Sequence, residues 1–397
     1  MNNLVIICAI LLLVLLFLKV PVYIAVLSAS AVYFIGTPGM NLSIFAQKTI
    51  SGAEGLSLLA IPFFVCAGIF MNYTGVTKRI MNCCEVLTAR MPGGLAQVNI
   101  LLSTLMGGLS GSSLADAAMQ CKMLVPTMES KGYSKSFSTV ITAASGMVVP
   151  LIPPGVGLII YGCINNISIG KLFIAGIGPG IVLCVTLMIF THFLSKKRGY
   201  LPSRTTKIPV SEKIAAVKPA FLPLLLPIII IGGVRIGIFT ASEAGTVAIV
   251  YAVLLGLLYK ELTLKNVMQG CKETVTTTAS IMLIVAAATC FSWILTKEQI
   301  PQQFSQWMIS NIHNKYVFLI MVNIFLLIVG MFIEGNASMI VLAPLLHPVA
   351  MAYGIDDIHF AMVYIFNCTI GAFTPPMGTL MFVSCGITKC PTKDFIK

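Results

Sequence analysis

Gly107-Gly108-Leu109-Ser110-Gly111-Ser112-Ser113 breaks an apolar stretch at 95–125, and Glu334-Gly335-Asn336-Ala337-Ser338 breaks a second at 317–350. As helix, at about 1.5 Å per residue, the arms on either side of each break reach only about 20–25 Å, short of the roughly 30 Å hydrocarbon core of a bilayer. Both stretches therefore read as re-entrant hairpins that enter and leave on one side of a membrane. The rest of the chain demands that membrane. Of 397 residues, 57% are hydrophobic and 10% charged, whereas a soluble domain is about a quarter charged. Apolar runs at 4–18, 20–36, 56–73, 137–164, 172–194, 219–236, 240–258, 278–296 and 359–386 read as spans. No cation precedes the first run and a second follows at once, so it reads as a retained span rather than a cleaved signal.

Charge orients these spans. Place the loop at 195–218 in the cytoplasm, and let each span cross once and each hairpin not at all. Then 19 of the 25 Lys and Arg fall inside, among them Lys19, Lys78, Arg79, Lys131, Lys135, Lys207, Lys260, Lys389 and Lys397. Five fall outside (Lys48, Lys171, Arg235, Lys297 and Lys315), and Lys122 lies within a hairpin. This is the expected cytoplasmic excess of cations. The net charge of +12 is thus loop and headgroup charge facing the lipid bilayer, with no nucleic acid implied. The first hairpin enters from the cytoplasm and the second from outside.

The two hairpin regions are related. Val98-Asn99-Ile100 recurs as Val322-Asn323-Ile324, Ile152-Pro153-Pro154-Gly155 parallels Thr374-Pro375-Pro376-Met377, and Lys171-Leu172-Phe173-Ile174 parallels Lys393-Asp394-Phe395-Ile396. The shared order is span, hairpin, Pro-broken span. It runs over 56–175 (hairpin 95–125, broken helix 137–164) and 278–397 (hairpin 317–350, broken helix 359–386). Residues 1–55 read as N-terminal scaffold helices and 176–277 as scaffold and connecting helices. Opposite entry makes the repeats inverted, as in many secondary transporters. The fold class is an all-α polytopic membrane protein. The helix matching the one after Phe173 would begin where the second copy stops, at Lys397, so a terminal helix is expected to be missing.

Irregular backbone at membrane depth is tolerated only when buried in protein or lining a polar cavity. Four such places exist: the two hairpin breaks, Val149 to Gly155, and Gly371 to Gly378. Carbonyls freed by Pro, with the oxygens of Ser110, Ser112, Ser113 and Ser145 in one half and Asn336, Ser338, Asn367, Thr374 and Thr379 in the other, suit Na⁺. Half-helix N-termini suit a carboxylate. Asp116 has two readings. With Ser113 it has capping-box spacing; alternatively it is a functional intramembrane carboxylate. Glu334 and Glu243 are likewise functional or interfacial. The four His and twelve Cys show no ligand or catalytic spacing, and Arg235 reads as a snorkelling side chain.

Five motifs resemble one family. They are Leu59-Ala60-Ile61-Pro62-Phe63-Phe64, Gly107 through Asp116, Ile152-Pro153-Pro154, Gly237-Ile238-Phe239-Thr240-Ala241-Ser242-Glu243-Ala244, and Thr374-Pro375-Pro376-Met377-Gly378. Along its whole length the chain closely resembles the large membrane (M, DctM-like) subunit of TRAP transporters, the tripartite ATP-independent periplasmic carriers. The resemblance implies a Na⁺-driven elevator-type transporter of the bacterial inner membrane, not an enzyme. It implies two partners, a small four-helix membrane subunit (Q) and a periplasmic substrate-binding protein (P). The latter delivers an organic acid such as a C4-dicarboxylate, a sialic acid or a keto acid. It places one Na⁺ near Ser110, Ser112, Ser145 and Pro150, and another near Gly335, Asn336, Thr374 and Thr379. Its substrate-binding set is Ser113, Asp116, Pro153, Pro154, Asn367, Pro375 and Pro376. Similar proteins continue through one more helix. Re-entrant loops also line channels, and an intramembrane enzyme would want a catalytic constellation; low intramembrane charge and the two-fold repeat favour a carrier.

Overall fold

The computed structural model describes residues 3–18, 20–204, 206 and 208–396; Lys19, Lys207 and Lys397, counted above among the cytoplasmic cations, lie outside the described residues. Among the described residues no strand occurs. The first half comprises α1 (Asn3–Phe17), α2 (Val22–Gly36), α3 (Leu42–Ser51), α4 (Ala60–Tyr73), α5 (Val76–Thr88), α6 (Gly94–Ser110), α7 (Ser113–Ser130), α8 (Lys135–Ser145), α9 (Val156–Asn165) and α10 (Ile169–Lys197). The second comprises α11 (Val210–Ile236), α12 (Ala241–Leu258), α13 (Leu264–Lys297), α14 (Ile300–Asn311), α15 (Lys315–Phe332), α16 (Gly335–Ala352), α17 (Asp357–Phe373), α18 (Thr379–Thr388) and α19 (Thr392–Ile396). Polar N-caps start many of them. Ser134, Ser168, Thr263, Asn314 and Asp356 each accept a backbone N–H from the first turn of α8, α10, α13, α15 and α17.

Helices cover each apolar stretch read from the sequence, and four further helices, α3, α5, α14 and α19, were not expected. α3, α5 and α14 are short and of mixed polarity, so a search for apolar runs passes over them. α5 leaves α4 at 70°. The turn is made at Gly75, whose φ of 69° suits a residue without a side chain. The run at 137–164 is also broken: α8 continues through a tight turn at Val149–Leu151, and α9 departs at 41°.

α15 and α16, at 18 residues each, are by length and composition alone long enough to cross a membrane. The packing makes them hairpin arms instead. Their turn opens onto the same cavity as the turn between α6 and α7 and the breaks in α8–α9 and α17–α18. A turn that meets the middle of two broken spans sits at membrane depth, not at the surface.

Element order carries the repeat further back than the sequence motifs do. α1 and α2 correspond to α11 and α12, α3 with α4 to α13, and α5 to α14. Second hairpin arms begin at Ser113 and Gly335, and broken helices at Lys135 and Asp357, each pair 222 residues apart. Both Pro-Pro bonds, Pro153-Pro154 and Pro375-Pro376, are cis. Packing repeats too: α2 lies on α13 as α12 lies on α4. The hairpins are exchanged, with α7 resting on α18 and α16 resting on α9.

The core is apolar and aromatic, with Tyr161, Tyr364, Phe173, Phe318 and Phe360 fully enclosed. The outside is apolar as well: Val182, Phe190 and Phe193 of α10 are 65%, 67% and 67% exposed, as suits a face toward lipid tails. Where helices cross, small residues let backbones meet. A Cβ on Gly371 of α17 would stand 2.6 Å from the Gly330 Cα of α15. Gly371→Val is therefore expected to separate α15 from α17 and destabilise the protein by about 1–3 kcal/mol. Gly386→Val on α18, where nothing lies within 4 Å, is expected to be far milder. Thermal unfolding of the two purified variants in detergent checks this, and equal losses would contradict the crossing geometry.

Candidate functional site

One cavity of about 460 Å³ lies where both hairpin turns meet both helix breaks. Its geometry follows from where helices start. Ser113, Leu114 and Ala115 open α7; Val156 and Gly157 open α9; Gly335 and Asn336 open α16; Thr379 and Leu380 open α18. All of them line the cavity. Four half-helix N-termini thus converge on one space, each bringing the partial positive charge of its helix dipole. Among the described lining residues no Lys or Arg occurs and Glu334 is the one charged side chain.

The four N-termini are not equally furnished. Ser112 Oγ accepts from Ala115 N (3.4 Å) and so caps α7. Glu334 Oε2 accepts from Ala337 N (3.0 Å) and caps α16 at the equivalent place. α9 and α18 follow Gly155 and Gly378, which offer no side-chain cap. These glycines also permit close approach. A Cβ on Gly155 would stand 2.3 Å from Pro150 O, and one on Gly378 2.5 Å from Ala372 O and 2.7 Å from Thr374 O. Carbonyl oxygens therefore crowd both breaks.

The residues expected at the sodium sites fall into two groups. Ser110, Ser112 and Pro150 line the cavity, as do Gly335, Asn336 and Thr379. The Ser110 hydroxyl is buried without a hydrogen-bond partner. Ser145 and Thr374 lie behind the lining. Ser145 Oγ lies 2.9 Å from both Ser103 Oγ and Thr142 O, while Thr374 Oγ1 donates to Ile370 O (2.6 Å).

Of the expected substrate-binding set, Ser113 lines the cavity and the other six do not. Asp116 is 2% exposed beneath the first hairpin turn. One of its oxygens accepts from Ser103 Oγ (2.6 Å) and Gln120 Nε2 (2.9 Å), and the other has no partner. It does not complete a capping box with Ser113, because the N-cap is Ser112. Asn367, the counterpart of Ser145, donates to Asn323 Oδ1 (2.6 Å). Each broken helix is thus tied to the first arm of its own hairpin. Pro153, Pro154, Pro375 and Pro376 form the cis breaks behind the uncapped N-termini.

Glu243 is exposed in a complete capping box with Thr240, and Arg235 is exposed at the end of α11; neither lines the cavity. Sequence reasoning missed the opposite wall. Gly68 and Asn72 of α4 and Thr276, Thr277 and Ser280 of α13 also line the cavity, with Gly68 packed against the first hairpin turn, where a Cβ would stand 2.6 Å from Ser110 O. The hydroxyl run at 276–280, where the apolar span read at 278–296 begins, was the available signal. Among the described residues no group of His, Cys, Asp and Glu could hold a metal ion.

Burial decides how much each carboxylate matters to stability. Asp116→Leu leaves Ser103 and Gln120 facing an apolar side chain and is expected to cost about 2–3 kcal/mol. Glu243→Ala, in an exposed box, is expected to cost about 1 kcal/mol. Unfolding of both variants in detergent checks the order, which would be wrong if Glu243→Ala proved the more damaging.

Comparison with known proteins sets this geometry in a family. Residues 9–397 match the family model described as Tripartite ATP-independent periplasmic transporter, DctM component. The chain is 42% identical over 370 residues to the sialic acid TRAP transporter large permease protein SiaM of Vibrio cholerae serotype O1, covering 93% of this chain and 86% of that protein. It is 36% identical over 378 residues to the 2,3-diketo-L-gulonate TRAP transporter large permease protein YiaN of Escherichia coli K12, covering 95% and 88%. It is also 36% identical over 347 residues to the C4-dicarboxylate TRAP transporter large permease protein DctM of Pseudomonas aeruginosa, covering 87% and 81%. Among solved structures, the YdaH transporter of Alcanivorax borkumensis, described for its unusual topology, matches with a TM-score of 0.61. That match covers 89% of this chain and 84% of the other at 13% identity, and bears on the fold alone. With its apolar helices, the chain is a multi-pass protein of the bacterial inner membrane, and it belongs to the DctM family, the large permease component of the TRAP transporters.

Proposed function

We propose that this chain carries a small organic-acid anion across the inner membrane by Na⁺-coupled uptake. The observation that carries the reading is the convergence of four half-helix N-termini on one cavity that, among the described residues, no Lys or Arg lines. A carboxylate there is held by backbone N–H groups and helix dipoles rather than by a fixed cation. Its grip is moderate, as a carrier needs if it is to release its load. The volume of about 460 Å³ suits a solute of sugar-acid size. The relatives' names point the same way, since they specify sialic acid, 2,3-diketo-L-gulonate and C4-dicarboxylate.

Sodium is a co-transported substrate in this reading. The unpartnered Ser110 hydroxyl, with Ser112 and the Pro150 carbonyl, would hold one ion, and Gly335, Asn336 and Thr379 would hold another. Ser145 and Thr374 support these positions from behind. A cation at each break offsets the charge of the anion and makes its binding depend on sodium. The hairpins and broken helices then move as one body against a scaffold that includes 1–55, α4, 176–277 and α13, in the manner of an elevator. The α4 and α13 wall of the cavity is the surface against which that body slides. The family's description as tripartite supports a small membrane subunit and a periplasmic binding protein as working partners.

The test is uptake into proteoliposomes holding this chain with its small subunit, with binding protein and labelled organic acid outside. An inward Na⁺ gradient is expected to raise the initial rate at least about tenfold. Ser110→Ala is expected to raise the Na⁺ concentration for half-maximal rate by about tenfold, the loss of one ligand. Uptake indifferent to the gradient would sink the coupling.

A further inference from the structure

A second pocket, away from the central cavity, is built from charges that do not pair with one another. It has a volume of about 330 Å³ and is lined by Lys78, Arg79 and Asn82 of α5, by Ala215, Ala216 and Pro219 of α11, and by Glu261. Arg79 is fixed on two sides. Its guanidinium lies 3.7 Å from the centre of the Tyr259 ring, and Nη1 donates to Gly75 O (2.9 Å). Tyr259 is itself anchored through Oη to Pro219 O (3.2 Å). Glu261 comes close to Arg79, for a Cβ on Gly75 would stand 2.7 Å from Arg79 Nη1 and 2.9 Å from Glu261 Cγ. Even so, the ion pairs among the described residues are Lys135–Glu129 and Arg204–Glu212, and neither involves this pocket. Two cationic heads and one carboxylate therefore face a shared space.

Depth selects the ligand. Lys78, Arg79 and Lys260 all fall on the cytoplasmic side by charge. Pro219 stands where the apolar part of α11 begins, and Phe221 and Leu222, next along that helix toward the bilayer interior, are 56% and 38% exposed. The pocket is thus at the headgroup level of the inner leaflet, with an apolar track for acyl chains above it and a tyrosine at the boundary. A purely anionic headgroup would meet Glu261 with like charge. A headgroup carrying a phosphate and an ammonium a few bonds apart meets Lys78 and Arg79 with one end and Glu261 with the other.

We infer that this pocket at the bend between α4 and α5 is a site for the headgroup of a zwitterionic amino-phospholipid, phosphatidylethanolamine in chemical terms. The lipid braces α5 against α11 at the point where the chain turns toward the first hairpin. This inference stands whatever solute the central cavity carries.

The test is lipid retention by native mass spectrometry on the delipidated, detergent-purified chain. The protein is titrated with phosphatidylethanolamine, with phosphatidylglycerol, and with inorganic phosphate as competitor. The unaltered protein is expected to retain phosphatidylethanolamine about tenfold better than phosphatidylglycerol, and phosphate is expected to displace neither. Lys78→Ala is expected to weaken both lipids about tenfold, with recovery in Lys78→Arg. Glu261→Lys is expected to reverse the preference in favour of phosphatidylglycerol, a change that misfolding cannot produce. Equal retention of the two lipids by the unaltered protein would overturn the proposal. So would an unchanged preference in Glu261→Lys, loss of both lipids in that variant, or displacement by phosphate alone.

Discussion

Inside a bilayer, a backbone that leaves the helix must find its own partners, because the hydrocarbon offers none. Both hairpin turns and both helix breaks are places where the helical ladder stops, and the rest of the molecule is arranged around satisfying them. Gly111 shows how. Its φ of 61° ends α6, its N–H returns to Gly107 O (3.2 Å), and its carbonyl accepts from Val156 N (3.2 Å) at the start of α9. The first hairpin turn is thereby bonded to the break that follows it. In the second half, Gly378 N donates to Thr374 O (3.2 Å) and Thr374 N to Gly371 O (3.0 Å), so the break closes largely on itself. The second arms then cross over, α7 onto α18 and α16 onto α9. Neither hairpin has a complete bed without the other repeat. The cavity between them is the space left once these demands are met, bounded by the uncapped starts of α9 and α18.

What could be read from the sequence follows from contrast. Gly107 to Ser113 and Glu334 to Ser338 stand out because polar and flexible residues are improbable in lipid unless they line something. The two Pro-Pro pairs stand out for the same reason. α3, α5 and α14 were invisible because a short helix of mixed polarity carries no long apolar run. The far wall of the cavity was visible residue by residue, at Thr276, Thr277 and Ser280, but nothing in the order of the chain ties α13 to a hairpin turn. Only the packed molecule brings them together.

Asp116 shows where spacing misleads. Ser113 and Asp116 have the separation of a capping box, yet the left-handed turn at Gly111 starts α7 with Ser112 as its cap. That choice of cap leaves Asp116 one position too far along to reach back. It faces inward from the first turn, where Ser103 and Gln120 hold it. Exposed Glu243, at the third position of a helix whose cap is Thr240, does what the spacing suggests. A single residue in the register of the cap separates a surface staple from a buried strut.

The repeats share a backbone and differ in their polar chemistry. The first hairpin rests on Asp116, Ser103, Gln120 and Ser145; the second rests on Asn323 with Asn367, and on Ser338 with Tyr364. An inverted pair of identical repeats would give inward- and outward-facing arrangements of equal energy, since a two-fold rotation about an axis in the membrane plane would interchange them. Common backbone geometry keeps those two arrangements within reach of one another. Different side-chain networks beneath the two hairpin turns make their energies unequal. A carrier needs both properties, because a ligand can shift a population only between states already close in energy. In the proposed carrier the shared frame of Gly turns and Pro breaks sets the two end points, and the buried hydroxyls, amides and the one carboxylate beneath the first turn set the balance between them.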